Sequence, residues 1–543
     1  MKEEISSSAF QTKDLAVENL REVLMAQGLN EDQANSLIAA YSSSSIDRLS
    51  DPKMKAPRES QLSLFPQIEQ DTGGLHLSKV PEKGESVLQH LLQQDLGFKG
   101  QTTTYTTHNI HAFAAKFPPQ LPRLFIEGLT RPGEVVLDPM VGSGTTLVET
   151  LLRGRVGIGF DLDPLAILLN WVKITRLDPK AVQQAGTAVL KGVQETLNSS
   201  TFDAEAELRN CYSKKVIEFF HYWFLEKTRQ ELVALLQEIE KYPSLLIRNL
   251  LTALFSSIII TKSGGVSLAR DLAHSRPHKD PEKRPQKALV AFQEKLTKVL
   301  ADFAAIEQAP GRAFAFQADA RALPMKENTV DLIVTSPPYA NAIDYVRAHK
   351  FSLFWLDHAI EELQTLRRET IGAEVPDEEA SFSSPTIHKV IREVKEKDPR
   401  KAGILTNYFR SMEAVIKEMY RVLRPGKAAI IVVGPSTTRG ITVPTQLGLA
   451  EIGEATGLQC TGIKEREIDR DKRLMPWSQA KGDAGIEARI HAEYVIALSK
   501  PTEGVSTTQS FRNRLYMCCD LSVEDSDNGL YVPRRGSCRG PNL

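Results

Sequence analysis

Residues 135–146 read VVLDPMVGSGTT, and no other stretch limits the fold of this chain as strongly. An apolar strand ends in Asp138, a turn carries Gly142 and Gly144, and a helix is expected from about Thr145. A strand feeding a glycine turn and then a helix opens a doubly wound α/β sheet. The glycines let the backbone approach a ligand closely, and the free N–H groups at the helix start suit a carboxylate. Alone, such a turn is equally well an ordinary strand-to-helix connection. A second unit shifts the balance: VGIGFDLDP follows one helix later and puts Asp161 at the tip of the second strand. A carboxylate there commonly accepts hydrogen bonds from ribose hydroxyls. A dinucleotide-binding dehydrogenase carries G-x-G-x-x-G, and GSGTTL departs from it.

The third element, QADARALP, sets Asp319 just after the third strand, where a side chain can meet an adenine edge. By itself Asp319 reads as a solvent-facing loop residue, and only its place in the series gives it weight. The decisive motif is Ser336-Pro337-Pro338-Tyr339, at the end of the strand DLIVT. An exocyclic amine on a base is a poor nucleophile, because its lone pair is delocalised into the ring. Two acceptors, the Ser336 hydroxyl and the Pro337 carbonyl, can take both N–H groups and free that lone pair. The prolines hold the turn rigid, and Tyr339 offers an aromatic face for an extruded base. A bare Pro-Pro turn after a strand is common, so this reading rests on the elements before it.

Four regions follow from the pattern. Residues 1–100 read as two short helices, broken at Gly28-Leu29-Asn30 with Asn30 as a cap, and a polar linker from about Ser42 to Gly84. The organised core is expected near Thr102, with the catalytic domain spanning 101–174 and 309–500. Between them, 175–308 carries helical periodicity and reads as a helical insertion with a DNA-binding part. Further strands are expected at 314–318, 331–339, 427–436, 458–468 and 491–500, and a disordered tail over 501–543.

The five cysteines show no metal-ligand spacing, so neither a structural zinc nor any other metal is expected. The start, MKEEISSSAFQTKD, lacks an apolar region, and no run of 18 apolar residues occurs, which points to a cytoplasmic protein without a membrane. Net charge is −1, so any nucleic-acid surface must come from local asymmetry. Residues 262–298 hold nine Lys/Arg against four Asp/Glu in a Gly-, Pro- and Ser-rich loop. Arg276, Lys279, Lys283 and Arg284 are its candidate phosphate contacts. A second basic stretch, 389–427, has eleven against five, and its latter half reads as the solvated face of an amphipathic helix. RDKRLMPWS (470–478) is expected as a hairpin near the site, with Trp477 either stacking or packed.

At DPMVGSGTT, TSPPY and HAFAAKFPPQLPRLFIEGLTRPGEVVLDP the chain resembles the amino-methyltransferases that act on DNA bases. The resemblance covers roughly 105–172 and 310–500. It implies a class I S-adenosyl-L-methionine-dependent methyltransferase, Rossmann-like α/β, with a seven-stranded, mostly parallel sheet whose last strand is antiparallel. It assigns cofactor contacts to Lys116, Phe117, Asp138, Pro139, Gly142, Ser143, Gly144, Thr145, Thr146, Asp161 and Asp319. Ser336, Pro337, Pro338 and Tyr339 match the family's catalytic motif. Double-stranded DNA is the implied partner, and the S-P-P-Y form is more typical of cytosine N4 than of adenine N6 enzymes. The glycine motif precedes the catalytic one here, the reverse of many S-P-P-Y enzymes, so sequence specificity does not carry over. The chain is then a solitary enzyme or the modification half of a system with a separate restriction endonuclease. Two rivals remain. An RNA guanine-N2 methyltransferase shares the motif order but begins its motif with Asp or Asn and carries a basic upstream module. A non-catalytic nucleic-acid-binding subunit tends to lose the acceptor or the glycine loop.

Overall fold

The computed structural model describes residues 17, 18, 20–45, 84–113, 116–261, 265–269, 278–340, 345–377, 381–468 and 491–502. Its strands in chain order are β1 Val135–Asp138, β2 Val156–Asp161, β3 Arg312–Gln317, β4 Val330–Thr335 and β5 Leu423–Val433. The short pair β6 Ser436–Thr438 and β7 Ile441–Val443 follows, then β8 Gln459–Glu467 and β9 Ala492–Ser499. Seven strands form one sheet in the order β3-β2-β1-β4-β5-β9-β8. β1 pairs in parallel with β2 and β4, and β9 enters antiparallel between β5 and β8. This is the class I methyltransferase sheet. β4, VDLIVT, is buried at every position, as a strand covered on both faces must be. The chain starts at the centre, steps out to β3 and returns beside β1 as β4. At that reversal a crevice for a ligand opens outside the C-terminal ends of β1 and β4.

The helices Gly84–Gln93 and Gln120–Leu129 fill one face of the sheet, against Val136, Leu332, Val334, Ile430, Val432 and Val495. The core on this face therefore includes Leu88, Leu91 and Leu92, upstream of the Thr102 start read from the sequence. GESVLQHLLQ is a ten-residue helix whose Leu88, Leu91 and Leu92 face the sheet, a pattern too short to stand out beside a polar linker. The first helical pair does form, and Asn30 caps it reciprocally: its Oδ1 accepts from Gln33 N–H at 2.9 Å, and Gln33 Oε1 accepts from Asn30 N–H at 3.0 Å. Gln27 then donates to the Ile174 carbonyl (2.8 Å) and accepts from Ala313 N–H (3.3 Å), which covers the edge strand β3.

The helical insertion lies between β2 and β3, from Pro179–Asn198 through Leu245–Ile259 to Ala288–Val299. Phe220, Phe224 and Phe255 pack around Trp355, and the Phe220 and Trp355 rings stack with centroids 4.0 Å apart. Trp355 belongs to the helix Tyr345–Trp355, which follows β4, so insertion and catalytic domain share one core. The β6–β7 hairpin was not legible as two strands, although Arg439 and Gly440 both take positive φ (52° and 80°), as a type I′ turn requires. No helix among the described residues is long and apolar enough to cross a membrane. Trp477, the stretch around it and the tail beyond residue 502 lie outside the described residues.

Candidate active site

The glycine loop is held from behind. Gly144 has φ 82°, and a Cβ there would stand 2.3 Å from Asn170 Oδ1, so only glycine fits. Asn170 Nδ2 donates to the Gly142 carbonyl at 2.9 Å, and the buried Lys173 Nζ donates to the Ser143 carbonyl at 2.6 Å. Gly142 N–H donates to Asp161 Oδ2 (2.8 Å), and Asp163 N–H donates to Asp161 Oδ1 (3.0 Å). Thr146 Oγ1 donates to Asp138 Oδ2 at 2.8 Å and lies 3.2 Å from the Val334 carbonyl, which pins the ends of β1 and β4 together. Asn170 and Lys173 were missed by sequence reading. Their signal was two polar residues three apart, on one face of the apolar helix PLAILLNWVKI.

Between the ends of β1, β2 and β4 lies a cleft of about 930 Å³, counted out to its open mouth. Lys116, Phe117, Asp138, Pro139, Gly142, Ser143, Thr145, Asp161, Asp319, Ser336 and Pro338 line it, as one constellation. Gly144, Thr146, Pro337 and Tyr339 are not on its wall. Phe113 and Asp163 add to the lining from the motif segments, and Tyr345, Val346, Leu366, Thr370 and Ile371 from segments that carry no motif. Asp319 is fixed by its neighbour: Arg321 forks both oxygens, with Nη2 at 2.7 Å from Oδ2, and also donates to the Glu369 carbonyl at 2.8 Å.

Among the described residues, four carboxylates, Asp138, Asp161, Asp163 and Asp319, face this cleft, and Lys116 is the one cationic side chain of its lining. Lys116 Nζ donates to the His108 carbonyl at 2.8 Å. Burial pushes the Asp138 carboxyl up to about 6, against the hydrogen bonds it accepts. Burial, reinforced by Asp163, pushes Asp161 up to about 7. Asp163 stays below the usual carboxylate range: burial opposes this, and His349 together with the Leu165 and Ala166 N–H groups outweighs it. Such a wall repels a pyrophosphate and attracts a sulfonium and an ammonium group. Phe113, Phe117 and Tyr345 add aromatic surface for a nucleobase. The residues present fit S-adenosylmethionine, with the helix start at Thr145 for its carboxylate.

At the end of β4, Ser336 Oγ donates to the Val432 carbonyl at 3.0 Å. Its proton is thereby engaged on β5, and its lone pairs stay available as acceptors on the cleft wall. The Pro338 carbonyl accepts from the Tyr408 hydroxyl at 2.8 Å, which braces the turn. Tyr339 departs from its expected role. Its ring is 7% exposed, and it lies against Gly434, where a Cβ would come within 2.3 Å of Tyr339 Cε2. Its hydroxyl donates to Glu493 Oε1 at 2.6 Å, and Arg466 holds Oε2 at 2.7 Å. Burial and the Glu493 charge hold the phenol well above its usual range, so it remains a donor. The ring is wedged under the turn and presents no open face to a base.

The candidate phosphate contacts do not form a free row. Arg276 lies outside the described residues. Lys279 Nζ sits 4.3 Å over the Tyr222 ring, and Lys283 Nζ donates to the Ala269 carbonyl at 2.6 Å. Lys279 thus packs on the helix Lys214–Trp223 and Lys283 is tied to Ala269, while Arg284 is exposed.

The DNA methylase family profile matches residues 69–169. Type II methyltransferase M.MvaI of Kocuria varians is 26% identical over 388 residues, which is 66% of this chain and 83% of that protein. Type II methyltransferase M.BsoBI of Geobacillus stearothermophilus is 21% identical over 71% of this chain and 87% of its own length. Type II methyltransferase M.MjaII of Methanocaldococcus jannaschii shares 32% identity over a shorter stretch, 24% of this chain and 26% of that protein.

Proposed function

We propose that this chain, which belongs to the DNA amino-methyltransferase family, is a site-specific Type II methyltransferase acting on cytosine N4 in double-stranded DNA. It moves a methyl group from S-adenosylmethionine to the exocyclic amine. The observation that carries the reading is the Ser336 hydroxyl, whose proton is committed to the Val432 carbonyl while it lines the carboxylate-rich cleft.

S-adenosylmethionine, when bound, supplies a methyl group on a sulfonium that leaves as a neutral thioether. The glycine loop and the N–H groups at Thr145 hold its amino-acid end. Asp161 would take the ribose hydroxyls with the lone pairs left by Gly142 and Asp163, and Asp319, oriented by Arg321, would serve the adenine edge. Ser336 Oγ and the Pro337 carbonyl accept the two amine N–H groups, so the nitrogen rehybridises and directs its lone pair at the methyl. The methylated nitrogen then loses one proton to water. Tyr339, Glu493 and Tyr408 hold the turn that carries these acceptors. Adenine N6 presents the same pair of N–H groups, and the S-P-P-Y form is what favours cytosine. The setting we infer is a modification system with a separate restriction endonuclease.

Labelled methyl transfer to duplex DNA, tRNA and buffer tests this reading. Label should enter DNA alone, and label confined to tRNA refutes it.

A further inference from the structure

At the cleft wall Asp163 is paired with the buried His349, to which the chemistry above gives no role. His349 is 2% exposed, and its Nδ1 meets Asp163 Oδ2. A carboxylate can only accept, so Nδ1 carries the proton. Its ring packs on two residues of the cleft wall, with centroids 4.9 Å from Phe113 and 6.2 Å from Tyr345. Asp163 Oδ1 accepts from Leu165 N–H at 2.9 Å and so caps the helix Pro164–Ile174, which carries Asn170 and Lys173 to the glycine loop. The Asp163 N–H holds Asp161 Oδ1 at 3.0 Å, and Asp161 Oδ2 holds Gly142 N–H at 2.8 Å. An unbroken run of hydrogen bonds therefore leads from His349 to the glycine loop.

We infer that His349 is a positioning residue of the cofactor site, which through its Nδ1–H holds Asp163, Asp161 and the Gly142 loop in the arrangement that receives S-adenosylmethionine. This rests on the cofactor reading given above. Without that donor the buried Asp163 carboxylate has to find another partner or turn away, and its backbone and the helix cap turn with it. His349 also stands on the helix Tyr345–Trp355, whose start lines the cleft and whose far end packs into the helical insertion. One side chain thus ties the cofactor loop to the helix that follows the catalytic turn.

A series of amide replacements separates positioning from mere buttressing. The side-chain nitrogen of asparagine falls where histidine has Nδ1, and that of glutamine falls where histidine has Nε2. The dissociation constant for S-adenosylmethionine is measured by calorimetry without DNA on the full chain and on His349→Ala, His349→Asn and His349→Gln. Steady-state kcat and KM with duplex DNA are measured alongside. Loss of one hydrogen bond to a buried charge should weaken cofactor binding roughly 10- to 100-fold in the Ala and Gln variants. The Asn variant should stay within about threefold of the unmodified chain, on the same hydrogen-bond scale. KM for the cofactor should rise with its dissociation constant, while kcat at saturation and KM for DNA hold. An unchanged dissociation constant in His349→Ala overturns the inference. So does an Asn variant as weak as the Gln variant, and that comparison decides the matter if His349→Ala does not fold. An unmodified chain that binds no S-adenosylmethionine overturns the cofactor reading itself, and the inference with it.

Discussion

Tyr339→Phe removes one oxygen and leaves the ring in place. That oxygen donates at 2.6 Å to Glu493 Oε1, while Arg466 occupies Oε2 at 2.7 Å. Glu493 is 8% exposed, so water cannot readily replace the lost donor. A hydrogen bond to a buried charged group contributes about 1.5–3 kcal/mol, and the variant should lose about 2 kcal/mol of folding stability. Tyr339→Ala also removes the ring packed on Gly434, and truncating a buried aromatic costs about 3–5 kcal/mol. Urea unfolding followed by fluorescence, with linear extrapolation, reads both losses. An open stacking face makes the opposite forecast: phenylalanine would stack as well as tyrosine, stability would hold, and only the alanine variant would lose DNA affinity. A Tyr339→Phe protein with an unchanged unfolding midpoint and slope refutes the wedge.

Cofactor affinity should rise with pH through the range about 6 to 7 and level off above it, since Asp138 and Asp161 hold protons there in the free protein and a cationic ligand expels them. Calorimetry across that range reads it, Asp161→Asn should flatten the curve, and a pH-independent dissociation constant contradicts it. Gly144→Ala should cost about 1–3 kcal/mol of stability from the left-handed backbone alone, and should abolish detectable cofactor binding because the new Cβ meets Asn170. Arg284→Ala should lower the log–log salt slope of DNA binding by roughly one in fluorescence titrations, whereas Lys283→Ala should leave the slope alone and loosen the loop. Equal slopes for Arg284→Ala and the unmodified chain would remove that residue from the DNA surface.

The centre of the sheet is legible in this sequence because β1, β2 and β4 are apolar runs that lead into the motif residues. Asp138 and Asp161 close β1 and β2, Ser336 follows β4, and their order along the chain locates the crevice. What surrounds those residues is not legible. Glu493 lies 154 positions from Tyr339, and Gly434 is an unremarkable glycine until the ring is seen against it. The S-P-P-Y motif therefore points to the acceptor proposed at Ser336 but not to the buried place of its tyrosine. His349 and Asp163 are 186 residues apart and meet only because the helix after β4 crosses the cleft wall. Lys279 and Lys283 looked like free cations because local composition does not reveal that a ring and a carbonyl await them. Asn170 and Lys173 are the instructive case: their polar spacing on an apolar helix was visible, and only the fold shows that it serves the glycine loop.

Expressing the chain in a host without DNA methylation and digesting the genomic DNA to nucleosides tests the central claim most directly. The account predicts N4-methylcytosine in the DNA, and a fall of something like 10²- to 10⁴-fold in its rate of formation for Ser336→Ala, the range for losing a positioned acceptor. That variant should give up only about 1 kcal/mol of stability with the Val432 hydrogen bond, so its loss of activity cannot be laid to unfolding. Full methylation by a folded Ser336→Ala protein, or DNA left without a methylated amine by the folded unmodified chain, would contradict the account.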